Sequence, residues 1–128
     1  MQFAFDSDHT NPYLPQNVRK NSIYYLGNHD SNTFIGFLKS LSKDKLNAVK
    51  SQLNTNAKSL TEIHFDAIKK MFDSKADMVI LQIQDVLLQD EKSRMNYPGR
   101  PFGCWEYKMP KNYKNKFTKN IKRIETYI

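Results

Sequence analysis

One cysteine, Cys104, is all the thiol chemistry in the 128 residues, so no internal disulfide can form and a disulfide-stapled miniprotein is excluded. Long apolar runs are missing as well. The longest, residues 23–26 and 78–81, fall far short of the roughly 20 residues that cross a bilayer. The first residues carry Asp6 and Asp8 and show no basic-then-apolar start, which argues against a secretory signal. These absences predict a soluble, cytoplasmic protein with no membrane association. Neither GxxxxGK nor GxGxxG occurs, so the backbone cradle for a phosphate is lacking. The three histidines, His9, His29 and His64, fall in no HExxH, CxxC or closely spaced ligand set, and no metal is expected. There is no internal repeat, low-complexity block or Gly/Ser linker, which leaves one domain over residues 1–128.

What is present is a core-forming composition with a skewed charge. Apolar residues make up 39% and aromatics 12%, enough to exclude a disordered tail. The net charge is +7, but residues 1–99 hold 12 basic and 11 acidic side chains, whereas residues 100–128 hold 8 basic and 2 acidic. A basic tail with Tyr113, Phe117 and Tyr127 could be a nucleic-acid arm, through counterion release and base stacking. The spacing favours another reading. Tyr113, Phe117, Ile121, Ile124 and Ile128 recur at steps of four, four, three and four, an apolar helical stripe flanked by Lys114, Lys116, Lys119, Lys122 and Arg123. The tail is therefore expected to be a helix packed on a body with a solvated basic face, and no nucleic-acid partner is expected.

Along the chain, periodicity and punctuation predict strands over residues 2–5, 22–26 and 77–83, and helices over 33–41, 43–53, 60–72 and the C-terminal stretch. Ser31 or Asn32 can cap the first helix, and Ser59 with Glu62 forms a capping-box pattern ahead of the third. The unbroken Met78-Val79-Ile80-Leu81 run predicts burial on both faces, the habit of parallel sheets. Strands separated by helices imply an α/β architecture.

In such an architecture Asp6, Asp30 and Asp85 each follow a predicted strand, and carboxylates at the ends of successive strands converge on the rim where barrel active sites lie. Asp6 and Asp85 read first as turn formers or helix caps. Asp30, beside His29, is less easily given that role. Cys104, within Phe-Gly-Cys-Trp and followed by an alternating Trp105 and Tyr107, reads as a buried structural residue rather than a nucleophile, and His64 as an ordinary residue on the mixed face of its helix.

Four segments carry a family resemblance: NPYLPQN (11–17), GNHDSNT (27–33), ILQIQDVL (80–87) and RMNYPGRPFGCWEYKMP (94–110), in this order behind Phe3-Ala4-Phe5. They resemble the C-terminal part of the 4-alpha-glucanotransferases, the amylomaltase or disproportionating-enzyme family, glycoside hydrolase family 77. The resemblance implies the last strands, six to eight, of an incomplete (β/α)8 barrel. It also implies a retaining transfer of alpha-1,4-glucan segments between maltooligosaccharides, with no cofactor. Asp30 then matches the family's transition-state-stabilising carboxylate and His29 its neighbouring histidine, which hydrogen-bonds a sugar hydroxyl. Asn96 either contacts bound glucan or, with Arg94 and Gly99, shapes its loop.

The chain departs from the family's pattern at Asn28, where Thr is common, at Ser31 and Asn32, near which Asp is common, and at 104–108, where Asn-Trp-x-Trp-Arg is favoured. In the family the nucleophile Asp and the acid/base Glu lie upstream of the segment matched here. The 128 residues alone are therefore expected to be inactive, with a separate or contiguous N-terminal portion as the missing partner. The competing expectations are a non-catalytic remnant or glucan-binding piece and, behind both, a basic nucleic-acid-binding protein.

Overall fold

Helix α3 (Leu60–Phe72) begins where its capping box dictates: the Ser59 hydroxyl accepts from the Glu62 backbone N–H at 3.2 Å and the Glu62 carboxylate accepts from the Ser59 N–H at 3.0 Å. The structure, a computed structural model, describes all residues except Ser7 and the side chain of Asp6. The reading of Asp6 as a turn or rim residue thus lies outside the described residues.

Among the described residues five α-helices accompany two short strands. β1 (Ile23–Tyr25) leads to α1 (Phe34–Ser40), α2 (Lys43–Gln52) and α3, and the chain returns as β2 (Met78–Ile80), α4 (Ile83–Val86) and α5 (Tyr113–Glu125). The strands pair in parallel, with Ile23 opposite Met78, Tyr24 opposite Val79 and Tyr25 opposite Ile80. A parallel pair joined through helices is the α/β arrangement expected. The core lies on one side of this pair, where α3 presents Ile63, Ala67, Ile68 and Met71 on one face to Leu26, Phe34 and Leu38. The three- and four-residue spacing of that face was legible; its partners were not.

Several expectations are corrected. Residues 2–5 form no strand but part of a 3-10 turn, Gln2–Asp6. Met1 and Ala4 are buried three residues apart while Phe3 is exposed, and the segment meets the end of β1 through the Met1 amino group, which donates to the Tyr25 carbonyl (2.7 Å), and the Gln2 N–H, which donates to the Leu26 carbonyl (3.2 Å). The burial period is helical, so the alternation of Phe-Ala-Phe had misled. The described sheet accordingly has two strands rather than three. β2 is shorter than expected, because α4 begins at Ile83. Nor is it buried on both faces: Ile23, Tyr25, Met78 and Ile80 all point to one open side, with Met78 54% exposed, while Tyr24 is buried against the helices. Thr33, not Ser31 or Asn32, caps α1, its hydroxyl accepting from the Gly36 N–H at 3.1 Å.

The C-terminal stretch is helical as expected, but only Ile124 of the stripe is buried and Ile128 is exposed. Asn120 goes inside instead, because its amide donates to the Val86 carbonyl at the end of α4 (2.7 Å). His64 is fully buried between the Phe34 and Phe65 rings, with Arg123 stacked on the outer Phe65 ring at 3.9 Å. No described helix is long and apolar enough to cross a membrane.

Candidate active site

The segment after β1 turns sharply on itself. The Asn28 side-chain oxygen accepts from the Asp30 N–H (3.0 Å) and the Ser31 hydroxyl (3.1 Å), and the Ser31 N–H closes the turn on the Asn28 carbonyl (3.0 Å). Gly27 lets this turn sit against the first residues: a β-carbon there would stand 2.8 Å from the Gln2 amide nitrogen and 2.9 Å from Ser31. His29 and Asp30 are lifted to the surface at the C-terminal end of the strand, each side chain about half exposed (53% and 47%).

A second loop meets them from 66 residues away. The Asn96 amide donates to one Asp30 carboxylate oxygen at 2.6 Å, and the other lies 3.4 Å from His29 Nε2. The Asn96 backbone N–H donates to the His29 carbonyl (3.1 Å), and the Arg94 guanidinium donates to the Asp30 carbonyl (2.8 Å). Asn96 thereby fixes the rotamer of Asp30 while both oxygens keep lone pairs free for a ligand. All three site residues named from the sequence, His29, Asp30 and Asn96, are thus brought together.

The loop carrying Asn96 closes on itself between Met95 and Trp105, where the Trp105 N–H donates to the Met95 carbonyl at 2.6 Å. Tyr97 anchors it: its hydroxyl donates to the Glu91 carbonyl (3.0 Å), and the Arg94 and Arg100 guanidiniums each sit 4.5 Å from its ring centre. Cys104 holds this loop as a structural residue, its sulfur accepting from the Tyr97 N–H at 3.4 Å, but it is half-buried rather than buried as expected. No strand follows it. Trp105 takes a left-handed backbone, φ 64°, and is 62% exposed, with its ring 5.1 Å from that of His29. Gly103 makes a similar turn at no steric cost, but for a bulky residue such a conformation costs about 1–3 kcal/mol.

Beside His29 opens a depression of about 370 Å³ whose wall includes Tyr25, Ile80, Gln82, Gln84 and Trp105. The Gln82 amide nitrogen is buried without a partner in the described protein. Sequence reasoning overlooked Gln82 and Trp105. The signal for the latter was present: this tryptophan stands between Gly103 and Pro110 in a loop bounded by glycine and proline, where no helical or strand face was available to bury it.

Asp85 takes no part in this surface. It is fully buried, and one carboxylate oxygen accepts from the Phe34 N–H (2.7 Å) at the start of α1, so its reading as a helix cap holds. Burial pushes its carboxyl up to about 6, opposed by that hydrogen bond. Burial likewise pushes the His64 imidazole down to about 4, against the backbone of Asp85, and neither ring nitrogen makes a hydrogen bond of normal geometry. Among the described residues no cluster of three or more His, Cys, Asp or Glu could hold a metal ion.

A family model described as 4-alpha-glucanotransferase matches residues 1–114. The chain belongs to that family. The 4-alpha-glucanotransferase of Aquifex aeolicus is 32% identical over 123 residues, which are 94% of this chain and 25% of that protein. The chloroplastic/amyloplastic 4-alpha-glucanotransferase of Solanum tuberosum is 38% identical over 111 residues, 86% of this chain and 19% of that one. An amylomaltase from Streptococcus agalactiae, solved in complex with acarbose, has the same fold over 98% of this chain and 26% of its own, with a TM-score of 0.84 at 22% identity. The chain therefore spans about a fifth to a quarter of the length of these proteins.

Proposed function

We propose that residues 1–128 are the C-terminal segment of a 4-alpha-glucanotransferase that moves alpha-1,4-glucan between maltooligosaccharides in the cytoplasm, with Asp30, His29 and Asn96 in its sugar-binding site. The observation that carries this is the Asn96–Asp30 hydrogen bond: two family motifs far apart in sequence meet on a half-exposed carboxylate beside an aromatic, amide-walled depression. An oriented carboxylate whose bonds to ring hydroxyls tighten as the sugar flattens stabilises the transition state more than the ground state.

Retaining transfer also takes two carboxyl groups about 5 Å apart, as nucleophile and acid/base. Asp85, capping α1 from within, supplies neither. On this reading both come from the part of the family's length that the chain does not span. That part also pairs with the strands' free edges and covers the open Ile23, Tyr25, Met78 and Ile80 face, completing a (β/α)8 barrel in which β1 and β2 are among the last strands.

The test is a chimera in which this chain replaces the matching quarter of the Aquifex aeolicus protein, incubated with maltotriose. Glucose and longer maltooligosaccharides are expected, with Asp30→Asn lowering kcat about 10²- to 10³-fold. The 128-residue chain alone should give no turnover. Turnover by the chain alone, or a chimera indifferent to Asp30→Asn, would overturn the assignment.

A further inference from the structure

We propose that Trp105 is a stacking platform for a pyranose ring of the bound glucan, in the position next to the sugar held by Asp30. The proposal rests on the glucanotransferase reading and deepens it.

An indole is a large apolar surface, and a chain gains by burying it. Here it is 62% exposed on a backbone of φ 64°, and its loop is nonetheless held closed by the Trp105–Met95 backbone bond and by the Cys104 sulfur. Residues kept in strained conformations by a surrounding structure that over-determines them gather at ligand clamps and active sites. Contacts among the described residues leave the ring mostly uncovered. The arginine stacks among the described residues go to Tyr97 and Phe65, and the one aromatic neighbour of Trp105 is His29, tilted by 37° at its edge of the site.

The surroundings fit a sugar. A pyranose offers an apolar C–H face and a girdle of hydroxyls, and it asks for a flat ring below with amides at the side. Trp105 supplies the flat ring of the depression, and Asn28 and Gln82 are among the amide side chains that line it. His29 bridges the two positions, touching the Asp30 carboxylate with one edge and the indole with its ring, so glucan gripped at Asp30 lies over Trp105 in its adjoining unit.

Trp105 is the single tryptophan of the chain, so its indole N–H gives one resolved signal in a ¹⁵N-labelled sample. In a titration with maltoheptaose that signal is expected to move along the same saturation curve as the backbone amides of Asp30 and Asn96. Trp105→Ala should weaken binding about tenfold or more, and Trp105→Phe should stay within about threefold of the wild type. Trp105→Gly, which suits the positive φ, should melt at or above the wild-type temperature yet bind as poorly as the alanine variant, a split that a structural role would not produce.

If the Asp30 and Asn96 amides move while the indole does not, and Trp105→Ala binds like the wild type, the platform is wrong and the glucanotransferase reading stands. If no resonance moves at any glucan concentration, the platform is wrong for this chain, and the glucanotransferase reading is decided by the turnover of the chimera.

Discussion

Asp30 and Asp85 each stand five residues past the paired strand ends Tyr25 and Ile80, and the fold treats them in opposite ways. Asp30 is half exposed, shares its charge with Asn96 and His29, and keeps acceptor capacity for something outside. Asp85 is sealed beneath α1, gives one oxygen to the Phe34 N–H and has no partner for the other. The same residue type at the same register is a ligand-facing acid in one loop and a structural acceptor in the other. Each has a histidine in its surroundings, His29 in the open and His64 buried, so the pattern of residue types does not separate them. Water does.

The largest effect that would test this contrast is on stability. Asp85→Ala strands the Phe34 N–H at a buried helix start and should cost about 2–4 kcal/mol, lowering the melting temperature by roughly 10 °C. Asp85→Asn keeps the acceptor and should stay close to the wild type. If Asp30→Ala lowered the melting temperature as much as Asp85→Ala, the contrast would collapse.

Next comes the pH dependence of unfolding by urea. The Asp85 carboxyl, raised from 3.8 to about 6, contributes stability that is full below about pH 3.8 and lost as pH rises through 6. The His64 imidazole, lowered from 6.5 to about 4, contributes stability that is full above pH 6.5 and lost as pH falls through 4. Each is worth about 3 kcal/mol and their slopes oppose, so the wild type should be nearly flat between pH 4 and 6. Asp85→Asn should expose the acid-side loss, and His64→Leu the opposite slope. Parallel slopes in the two variants would show that the buried pair does not titrate as described.

Smaller effects belong to the open site. Asn96→Ala removes the amide that holds Asp30 and should cost about 0.5–1.5 kcal/mol, with faster hydrogen exchange at the Trp105 N–H. Smallest is Asp30→Ala, expected within about 0.5 kcal/mol of the wild type in thermal melts, since a half-exposed carboxylate contributes little to folding. A large destabilisation would make Asp30 a structural residue like Asp85.

Much of the fold was legible because its causes are local. Ser59 and Glu62 announce α3 three residues apart, and the apolar steps of α3 follow from its own period. What failed depended on neighbours. Phe3-Ala4-Phe5 alternates like a strand, yet it lies beside the end of β1 as a tight 3-10 turn that buries Met1 and Ala4. Met78–Ile80 is apolar like a strand covered on both faces, yet one face stays open. Of the site, His29, Asp30 and Asn96 could be named from their motifs, whereas the exposure of Trp105 came from a backbone turn that no side-chain pattern encodes.

By itself the sequence determined the four longer helices, the capping box of α3 and the family, because these rest on contacts between residues a few positions apart and on motifs read in order. Only the tertiary structure decided which aspartate faces water. That choice depends on the Asn96 loop reaching Asp30 across 66 residues and on α1 closing over Asp85 across 51, and burial, unlike periodicity, is a property of surfaces that meet only once the chain has folded.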